Sequence, residues 1–377
     1  MPLPLPGETA PAFRASTSDG RTIDSDELAG GYTTLCFFGS TGHPAMADMV
    51  ALFTANDTVF DGVNHRLIGV SIDPADESEG RLPSSDGAVR MVRDFDCALS
   101  RLFGAIDTDD SSDAQVGEVQ FQPLTVLLDP GLRVLSVHRI DDPADHPARL
   151  LHFLQSLPAI GPPKAAVPQA PVLLVPMVFE VELCRQLVAL FDKTGGQPSG
   201  VFEDVEGQTV LTIDPARKQR LDAPITDGEF RQTVHARIQR RLLPEIRKAF
   251  QFEASKIERS VVARYDVGDF CGPHRDNQTL GTAHRQIAVS IPLNTDAFAG
   301  GLYRFPEYGR HLYYVPTGCA LVHSCSLLHD LTPVTEGARY AFIPILFNEQ
   351  ASKVLEANTR HLAPTVRKDR REFQTGD

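Results

Sequence analysis

The sequence contains no tryptophan, and its six cysteines are scattered along 377 residues without any Cys-x-x-Cys pair. Reduced and mostly buried thiols are therefore the expectation, and an iron–sulfur cluster has no ligand set of suitable spacing. Long apolar runs are also missing, since the longest, 172–181, is interrupted by Pro176 and Glu180. It falls well short of the ~20 apolar residues of a membrane helix, so no membrane span is predicted.

Positive charge is scarce as well, because 36 lysines and arginines stand against 49 aspartates and glutamates, giving a formal net charge of -13. The average field of such a chain repels nucleic acid and anionic membranes, so neither is an expected partner. The one basic cluster, at 360–371, is predicted to be a solvated tail. The first residues lack the positive flank, apolar stretch and cleavage site of a secretion signal, so a cytoplasmic location is expected.

The composition, 42% hydrophobic and 23% charged residues, is typical of a folded protein, and the length favours two domains. Residues 158–171 include five prolines, which remove amide donors and fix φ, so this stretch cannot form a helix or a central strand. We predict an N-terminal domain over 1–157, a proline-rich linker over 158–171 and a C-terminal domain over 172–377.

The N-terminal half alternates apolar, β-rich runs with runs of helical spacing, which predicts an α/β layer fold. Strands are predicted at 32–38, 65–72, 124–128 and 134–138, the last two forming a hairpin. Helices are predicted at 46–53, 87–95 and 144–157.

Three segments of this half carry a family resemblance. They are Gly7-Glu8-Thr9-Ala10-Pro11-Ala12-Phe13, Phe37-Phe38-Gly39 and the run Gln-Pro-Leu-Thr-Val-Leu-Leu-Asp-Pro at 122–130. Together they resemble the peroxiredoxins, over about residues 5–157. That family carries a peroxide-attacking cysteine just after the Phe-Phe strand, whereas this chain has Ser-Thr-Gly-His-Pro-Ala-Met at 40–46. The resemblance therefore implies a thioredoxin-like domain that is redox-inactive and serves binding, dimerisation or positioning, because a hydroxyl cannot replace a thiolate and Cys36 lies inside the strand.

The C-terminal half begins with helical spacing and then changes to short β-rich runs. Helices are predicted at 182–191 and 229–248, the second kinked near Pro244. Strands are predicted at 172–175, 260–265, 286–293, 301–305, 311–315, 320–323 and 340–347. This order predicts a double-stranded β-helix, or jelly roll, with supporting helices.

Three polar residues of this half have the types and spacing of metal ligands. Residues two apart in a strand face the same side, so His274 and Asp276 can converge on one ion while Arg275 points away. His329, some fifty residues later, can supply a third ligand from another strand. Two imidazoles and one carboxylate form the facial triad of non-haem Fe(II) oxygenases, although a His-x-Asp pair alone is a weak signal.

Arg339 follows His329 by ten residues. On a strand after the distal histidine, its guanidinium could point inward and clamp a carboxylate through two parallel hydrogen bonds. A surface arginine after a turn is the alternative.

Other polar residues of this half compete for these roles. His284, His311 and His323 are alternative ligands, but none has the spacing of the triad or of the arginine. Arg285 and Arg304 are candidates for binding a carboxylate of the substrate, with surface arginines as the commoner case.

The C-terminal half also carries a family resemblance, in 265–276, 285–294, 300–307, 315–318 and 329–339. Over residues 172–349 the chain resembles the 2-oxoglutarate and Fe(II)-dependent dioxygenases, specifically the prolyl-4-hydroxylase-like superfamily that includes the PKHD-type hydroxylases. The resemblance implies that His274, Asp276 and His329 bind iron and that Arg339 binds the distal carboxylate of 2-oxoglutarate. It also implies that Tyr265 donates its hydroxyl to that cosubstrate.

The activity that this resemblance implies is hydroxylation of a C–H bond in a peptidyl residue, an amino acid or a small metabolite. Fe(II), 2-oxoglutarate and O2 are the expected cofactor and cosubstrates, succinate and CO2 are the by-products, and ascorbate is a candidate stimulant. The alternative is a binding or sensor protein that responds to iron and 2-oxoglutarate and docks a partner on the thioredoxin-like half. A homodimer stays open.

Overall fold

The computed structural model describes residues 3–56, 58–83, 87–106, 120–364 and 366. The chain divides into two compact units, Met1–Lys164 and Ala165–Asp377. Within the described residues, no helix combines the length and the apolar character needed to cross a membrane. Half of the basic tail predicted at 360–371 lies outside the described residues. The described half is not solvated throughout, because Leu362, Ala363 and Val366 are buried.

The first unit contains seven described strands, of which the first two form a separate pair and the other five form one sheet. Its strands are β1 (Arg14–Ser16), β2 (Thr22–Asp24), β3 (Tyr32–Gly39), β4 (His65–Ser71), β5 (Val89–Arg93), β6 (Leu124–Leu128) and β7 (Val134–Arg139). Its helices are α1 (Pro44–Thr54), α2 (Pro74–Ser78), α3 (Ala98–Leu102) and α4 (His146–Ser156). The sheet has the order β5-β4-β3-β6-β7, with β3 parallel to β4 and antiparallel to β6. This mixed sheet confirms the predicted thioredoxin-like α/β fold.

The central strand of this sheet, β3, is buried on both faces, which accounts for its strongly apolar sequence. Every residue of β3 is buried, because the strand has a packed core on each face. Phe37 belongs to one core and Phe38 to the other, as the alternation of side chains along a strand requires.

The helix predicted at 87–95 is wrong, because this segment forms β5. It pairs in parallel with β4, and Val89, Met91 and Val92 are buried. A short apolar run rich in valine cannot be assigned by periodicity alone, and pairing with the neighbouring strand decides its structure.

The second unit contains sixteen described strands and four α-helices. The strands are β8 (Leu173–Val175), β9 (Gln197–Pro198), β10 (Val201–Val205), β11 (Gln208–Thr212), β12 (Leu221–Pro224), β13 (Lys256–Glu258), β14 (Val261–Tyr265), β15 (Cys271–His274), β16 (Ile287–Pro292), β17 (Phe298–Gly300), β18 (Tyr303–Arg304), β19 (Ala320–Ser324), β20 (His329–Leu331), β21 (Val334–Gly337), β22 (Arg339–Phe342) and β23 (Ile345–Phe347). The helices are α5 (Val181–Thr194), α6 (Gly228–Arg237), α7 (Leu243–Phe250) and α8 (Glu349–Asn358).

These strands pair antiparallel in one large and several small sheets. The large sheet runs β13-β23-β16-β22-β14-β12-β9, and β19 joins β16 to β8. A smaller sheet has the order β15-β20-β18, and β17 pairs with β21. The arrangement is compatible with the predicted jelly roll.

The two faces of the large sheet pack in different surroundings. Val262 and Phe342 pack into a core that contains residues of α5, α6 and α7. Ala263 and Tyr265 alternate with Val262 along β14 and belong to a separate hydrophobic cluster. Since side chains alternate along a strand, Arg339 also lies on the face opposite to the helices.

Of two further predictions for this unit, one is confirmed and one is wrong. The helix is interrupted near Pro244 as predicted, because a π-helical turn at Ile238–Leu242 separates α6 from α7. Proline lacks an amide hydrogen, so it disturbs the helical hydrogen bonds of the preceding turn. The strand predicted at 311–315 is wrong, since this segment forms only one isolated bridge, between Tyr303 and Tyr313.

The position of Cys36 yields a prediction about peroxide chemistry. Its thiol lies in the middle of β3 with 1% exposure, and burial raises the pKa of Cys36 to about 12. A thiol so protonated is a poor nucleophile, so we expect the full-length protein to show no thiol-dependent peroxide consumption above background. A coupled peroxidase assay with Cys36→Ser, and with Cys97→Ser as the matched control, measures this. Consumption that Cys36→Ser alone abolishes contradicts the prediction.

Candidate metal centre

Strand pairing brings the two predicted histidine ligands together. His274 is the last residue of β15 and His329 the first of β20, and the two are direct partners in this antiparallel pair. Their ring centroids are 4.3 Å apart. Residues far apart in sequence thus meet because two short strands are in register.

Asp276 reaches the same place from a turn rather than from a strand. The expectation that His274 and Asp276 share one strand face is wrong, because β15 ends at His274. The backbone N–H of Asp276 donates to the carbonyl of Cys325 at 2.9 Å, which holds the turn. Arg275 does point away, as predicted, and pairs with Glu307 at 2.8 Å.

The three side chains form a compact group around Asp276. Its Oδ1 lies 3.6 Å from Nε2 of His274, and its Oδ2 lies 3.7 Å from Nε2 of His329. One ligand atom from each residue lies within 4.8 Å of the others. Two ligands about 2.1 Å from one ion at right angles are about 3 Å apart, so a small inward movement would complete a metal site.

Backbone carbonyls set the orientation of both imidazoles. Nδ1 of His274 lies 2.8 Å from the carbonyl oxygen of Gly272, and Nδ1 of His329 lies 3.0 Å from that of Leu327. A proton on Nδ1 donates to each carbonyl, which leaves the Nε2 lone pair for a metal ion.

Burial and neighbouring charges shift the pKa values of the three candidate ligands in different directions. Burial, reinforced by His323, lowers the pKa of His329 to about 3. Burial also acts to lower the pKa of His274, but Cys271 and Asp276 raise it to about 10. Burial would raise the pKa of Asp276, yet His329 and His274 hold it well below its usual range. Without a metal ion, these shifts favour an imidazolium on His274, which the neighbouring Cys271 stabilises because, against the effect of burial, His274 in turn lowers the pKa of the Cys271 thiol.

Arg339 is buried, has an open donor and shares a neighbour with this group, because the Tyr303 ring contacts both the Arg339 guanidinium and the His329 ring. It is 2% exposed, its NH2 donates to Oγ of Ser290 at 3.2 Å, and its NH1 has no hydrogen-bond partner. Among the described residues, no carboxylate pairs with it. A Cβ on Gly301 would approach Cδ of Arg339 to 2.8 Å, so glycine makes room for the guanidinium. Such a buried, open cation fits the carboxylate of a bound molecule.

Tyr265 stands directly opposite Arg339 in the pairing of β14 with β22. The guanidinium carbon lies 5.3 Å from the Tyr265 ring centroid and 5.9 Å from that of Tyr303. NH1 of Arg220 donates to the Tyr265 hydroxyl at 3.1 Å, so the hydroxyl proton remains for another acceptor. Burial raises the pKa of Tyr265, which keeps it a neutral donor.

The alternative histidines have other surroundings. His284 pairs with the buried Glu258 at 2.8 Å, and His311 is exposed. The ring of His323 lies 4.4 Å from that of His329, but His323 does not belong to the compact ligand group.

Both arginines predicted as candidates for the substrate carboxylate already face carboxylates of the protein. Arg285 binds Glu258 through Nε at 3.1 Å and NH2 at 2.8 Å. Arg304 binds Asp330 in the same two-point manner, at 2.7 and 3.0 Å.

Two adjoining cavities open on the candidate ligands. The inner one, of about 50 Å³, is lined by residues that include His274, Asp276, His329, Tyr265 and Tyr303. The outer one, of about 280 Å³, shares His274 and Asp276 with it. A molecule in either cavity would lie next to an ion held by the group.

The first unit has relatives among the peroxiredoxins. Residues 6–136 match the model of the AhpC/TSA family. The bacterioferritin comigratory protein of Xanthomonas campestris is 26% identical, with 38% of this chain and 90% of that chain covered and a TM-score of 0.32. Peroxidoxin BcpB of Mycobacterium tuberculosis is 19% identical, with 41% and 99% covered and a TM-score of 0.34. The N-terminal part is a peroxiredoxin-like AhpC/TSA domain.

The C-terminal region has relatives of another kind. A PKHD-type hydroxylase of Klebsiella pneumoniae strain 342 is 30% identical over 124 residues, which are 30% of this chain and 55% of that protein. One of Paracoccus denitrificans is 35% identical over 86 residues, or 21% and 38% of the two chains. The chain spans about half the length of the first of these curated relatives. The protein joins an AhpC/TSA domain to a region similar to PKHD-type hydroxylases.

The geometry predicts that each candidate ligand is needed for metal binding. We expect His274→Ala, Asp276→Ala and His329→Ala each to weaken Fe(II) binding by about 100-fold or more, since even groups that only orient ligands contribute about 10–100-fold. Anaerobic titration with Fe(II) measures the affinity, and His311→Ala, at an exposed histidine, is the control. Near-normal affinity in all three variants would remove these residues from the metal site.

The charge state predicts that metal binding displaces a proton. Only His274 must lose one, because Asp276 is ionised and His329 is neutral. We expect release of about one proton per ion at pH 7 and an affinity that rises with pH up to the pKa of His274. Calorimetry in two buffers of different ionisation enthalpy counts the protons. Identical heats in both buffers would contradict this charge assignment.

Proposed function

We propose that the protein is a non-haem Fe(II) and 2-oxoglutarate-dependent dioxygenase that hydroxylates a C–H bond and releases succinate and CO2. The observation that carries the proposal is the buried Arg339, which has an open donor and shares the Tyr303 ring as a neighbour with a group of two imidazoles and one carboxylate. The similarity to PKHD-type hydroxylases supports the hydroxylase class.

The residues present fit the proposed metal. His274, Asp276 and His329 would hold it, and nitrogen and oxygen donors from three residues leave further positions open. Bound iron, with 2-oxoglutarate and O2, supplies the oxidising power for the C–H bond. The protein itself fixes the ligand orientations through the carbonyls of Gly272 and Leu327.

The residues around Arg339 fit the proposed cosubstrate. The guanidinium would pair with the distal carboxylate through NH1, while Ser290 holds its NH2. Tyr265 would donate its hydroxyl proton to the same molecule, because Arg220 already occupies an acceptor position of that oxygen. Burial strengthens each of these contacts, since water does not compete for them.

The substrate remains a peptidyl residue, an amino acid or a small metabolite. The test is incubation of the full-length protein with Fe(II), 2-oxoglutarate, 18O2 and candidate extracts, followed by mass spectrometry. A product that gains one heavy oxygen, with succinate formed in equal amount, supports the hydroxylase. Binding of iron and 2-oxoglutarate without any product or succinate would favour the sensor alternative.

We propose that the AhpC/TSA domain is redox-inactive and serves binding or positioning. The loop after β3 is held by hydrogen bonds where peroxiredoxins carry their cysteine. Oγ of Ser40 donates to Asp73 at 2.6 Å, and Oγ1 of Thr41 donates to the buried Asp76 at 2.7 Å. Arg81 pairs with both carboxylates, at 2.9 and 3.0 Å.

The role of Arg339 can be measured by substitution. Truncating one partner of a buried charge pair costs about 2–5 kcal/mol, so we expect Arg339→Ala to raise the KM for 2-oxoglutarate about 30-fold or more. Arg339→Lys should recover only part of the loss, because an ammonium lacks the two-pronged geometry. Fe(II) affinity serves as the internal control, and Arg310→Ala, at an exposed arginine, as the matched variant. An unchanged KM in Arg339→Ala assigns the carboxylate to another residue.

A further inference from the structure

The outer cavity is strongly cationic. Its volume is about 280 Å³, and of its charged lining residues only Asp276 is acidic. Six are cationic, namely Arg217, Lys218, Arg220, Arg259, Arg275 and Arg285. Asp276 belongs to the candidate metal group, so no carboxylate of the described lining remains to balance these cations.

Carboxylates outside the lining balance only part of this charge. Three of the arginines have a carboxylate each, in the pairs Arg217 with Glu203, Arg275 with Glu307 and Arg285 with Glu258. Those three arginines are therefore compensated.

Arg220 and Arg259 share a single carboxylate. NH2 of Arg220 lies 2.8 Å from Oδ2 of Asp222, and NH2 of Arg259 lies 2.6 Å from the same atom. The side chain of Arg220 is 8% exposed, so water screens this charge poorly. One positive charge of this cluster stays uncompensated.

Lys218 is the second uncompensated cation. It is half-buried, and its Nζ donates to the carbonyl of Gly200 at 2.8 Å. No carboxylate of the described residues lies within ion-pair distance of it. Burial and the neighbouring Arg220 lower the pKa of Lys218 to about 7, although Asp222 and Cys271 act in the opposite direction. The backbone of Lys218 bridges to Cys271, the first residue of β15.

We propose that the outer cavity binds an anionic group, a carboxylate or a phosphate, of a small substrate, with Lys218 and Arg220 as its binding residues. That the bound molecule is the substrate rests on the proposed function, because the cavity shares His274 and Asp276 with the candidate metal group. The cavity volume is near the lower end of the ~300–1,000 Å³ of small-molecule pockets, so it fits a metabolite or an amino acid.

Lys218 distinguishes this site from the one assigned to 2-oxoglutarate. Of the two cavities, Lys218 lines only the outer one, whereas Arg220 lines both, and Arg339 and Ser290 are not among the described lining residues of the outer one. An anion held by Lys218 and an anion held by Arg339 would therefore occupy different places, and variants can tell them apart.

The test uses lysine acylation of the full-length, metal-free protein. The chain has seven lysines, and an amine with a pKa near neutrality reacts with an acylating reagent faster than an exposed ammonium does. Mass spectrometry follows labelling of Lys218 and of the exposed Lys193 while inorganic phosphate or malonate is titrated in, with chloride at matched ionic strength as the blank.

We expect either anion to reduce labelling of Lys218 about tenfold at an anion concentration about ten times its Kd, with labelling of Lys193 unchanged. The anion that protects Lys218 from labelling at the lower concentration, phosphate or malonate, shows whether the site prefers a phosphate or a carboxylate. Protection should persist in Arg339→Ala. Equal labelling with and without both anions overturns the proposal, and so does protection that disappears in Arg339→Ala.

A second measurement avoids chemical modification. Calorimetric titration of the preferred anion should show about tenfold weaker binding to Lys218→Met than to Lys193→Met, and binding to Lys218→Arg should recover. Equal affinity of the two methionine variants overturns the assignment. Neither measurement requires iron or turnover, so a failure of the dioxygenase proposal would show separately, as absence of succinate.

Discussion

A buried guanidinium without a counter-charge is the constraint on which the candidate site depends. Removing a charge from water is expensive unless an opposite charge or hydrogen bonds replace the water. Arg339 donates to Ser290, the rings of Tyr265 and Tyr303 lie near its guanidinium, and one of its donors is open. The protein alone therefore leaves this residue incompletely satisfied, and an anionic ligand is the natural completion.

The register of the paired strands brings the residues of the candidate site together. The pairing of β14 with β22 sets Tyr265 against Arg339, and the pairing of β15 with β20 sets His274 against His329. Alternation along β14 and β22 sends Val262 and Phe342 to the helices on the other face. The large sheet thus has a packed core on one face and Tyr265 with Arg339 on the other, while the smaller sheet supplies the histidines. A register shift of one residue in β14 or β22 would exchange the two faces of that strand.

The sequence predicted the helices whose apolar residues recur with helical periodicity and the candidate ligands whose residue types and spacing are recognisable. Helical spacing located α5 and the kinked pair α6 and α7, and the residue types at 274, 276 and 329 indicated the ligand group before any coordinates. The segment 87–95 was assigned wrongly, because its apolar residues satisfy either periodicity and only pairing with β4 decides.

Other parts of the site leave no local signal. Arg220 contacts Tyr265, Ser290 contacts Arg339, and Lys218 contacts the carbonyl of Gly200. Each of these pairs is distant in sequence and meets only after folding. Arg285 and Arg304 looked equally suited to bind an anion, but Glu258 and Asp330 neutralise them in the folded chain. Charge balance, unlike periodicity, is a property of three-dimensional surroundings.

The location of Asp276 just past the end of β15 has a mechanical consequence. The two histidines are anchored by a strand pair, whereas the carboxylate lies in a turn that hydrogen bonds of Asp276, Arg275 and Asn277 tie to Cys325 and Ser326. The group is thus held by two separate supports, a strand pair and a turn. A small displacement that closes the group around an ion would fall on the turn, because the turn lies outside the paired strands.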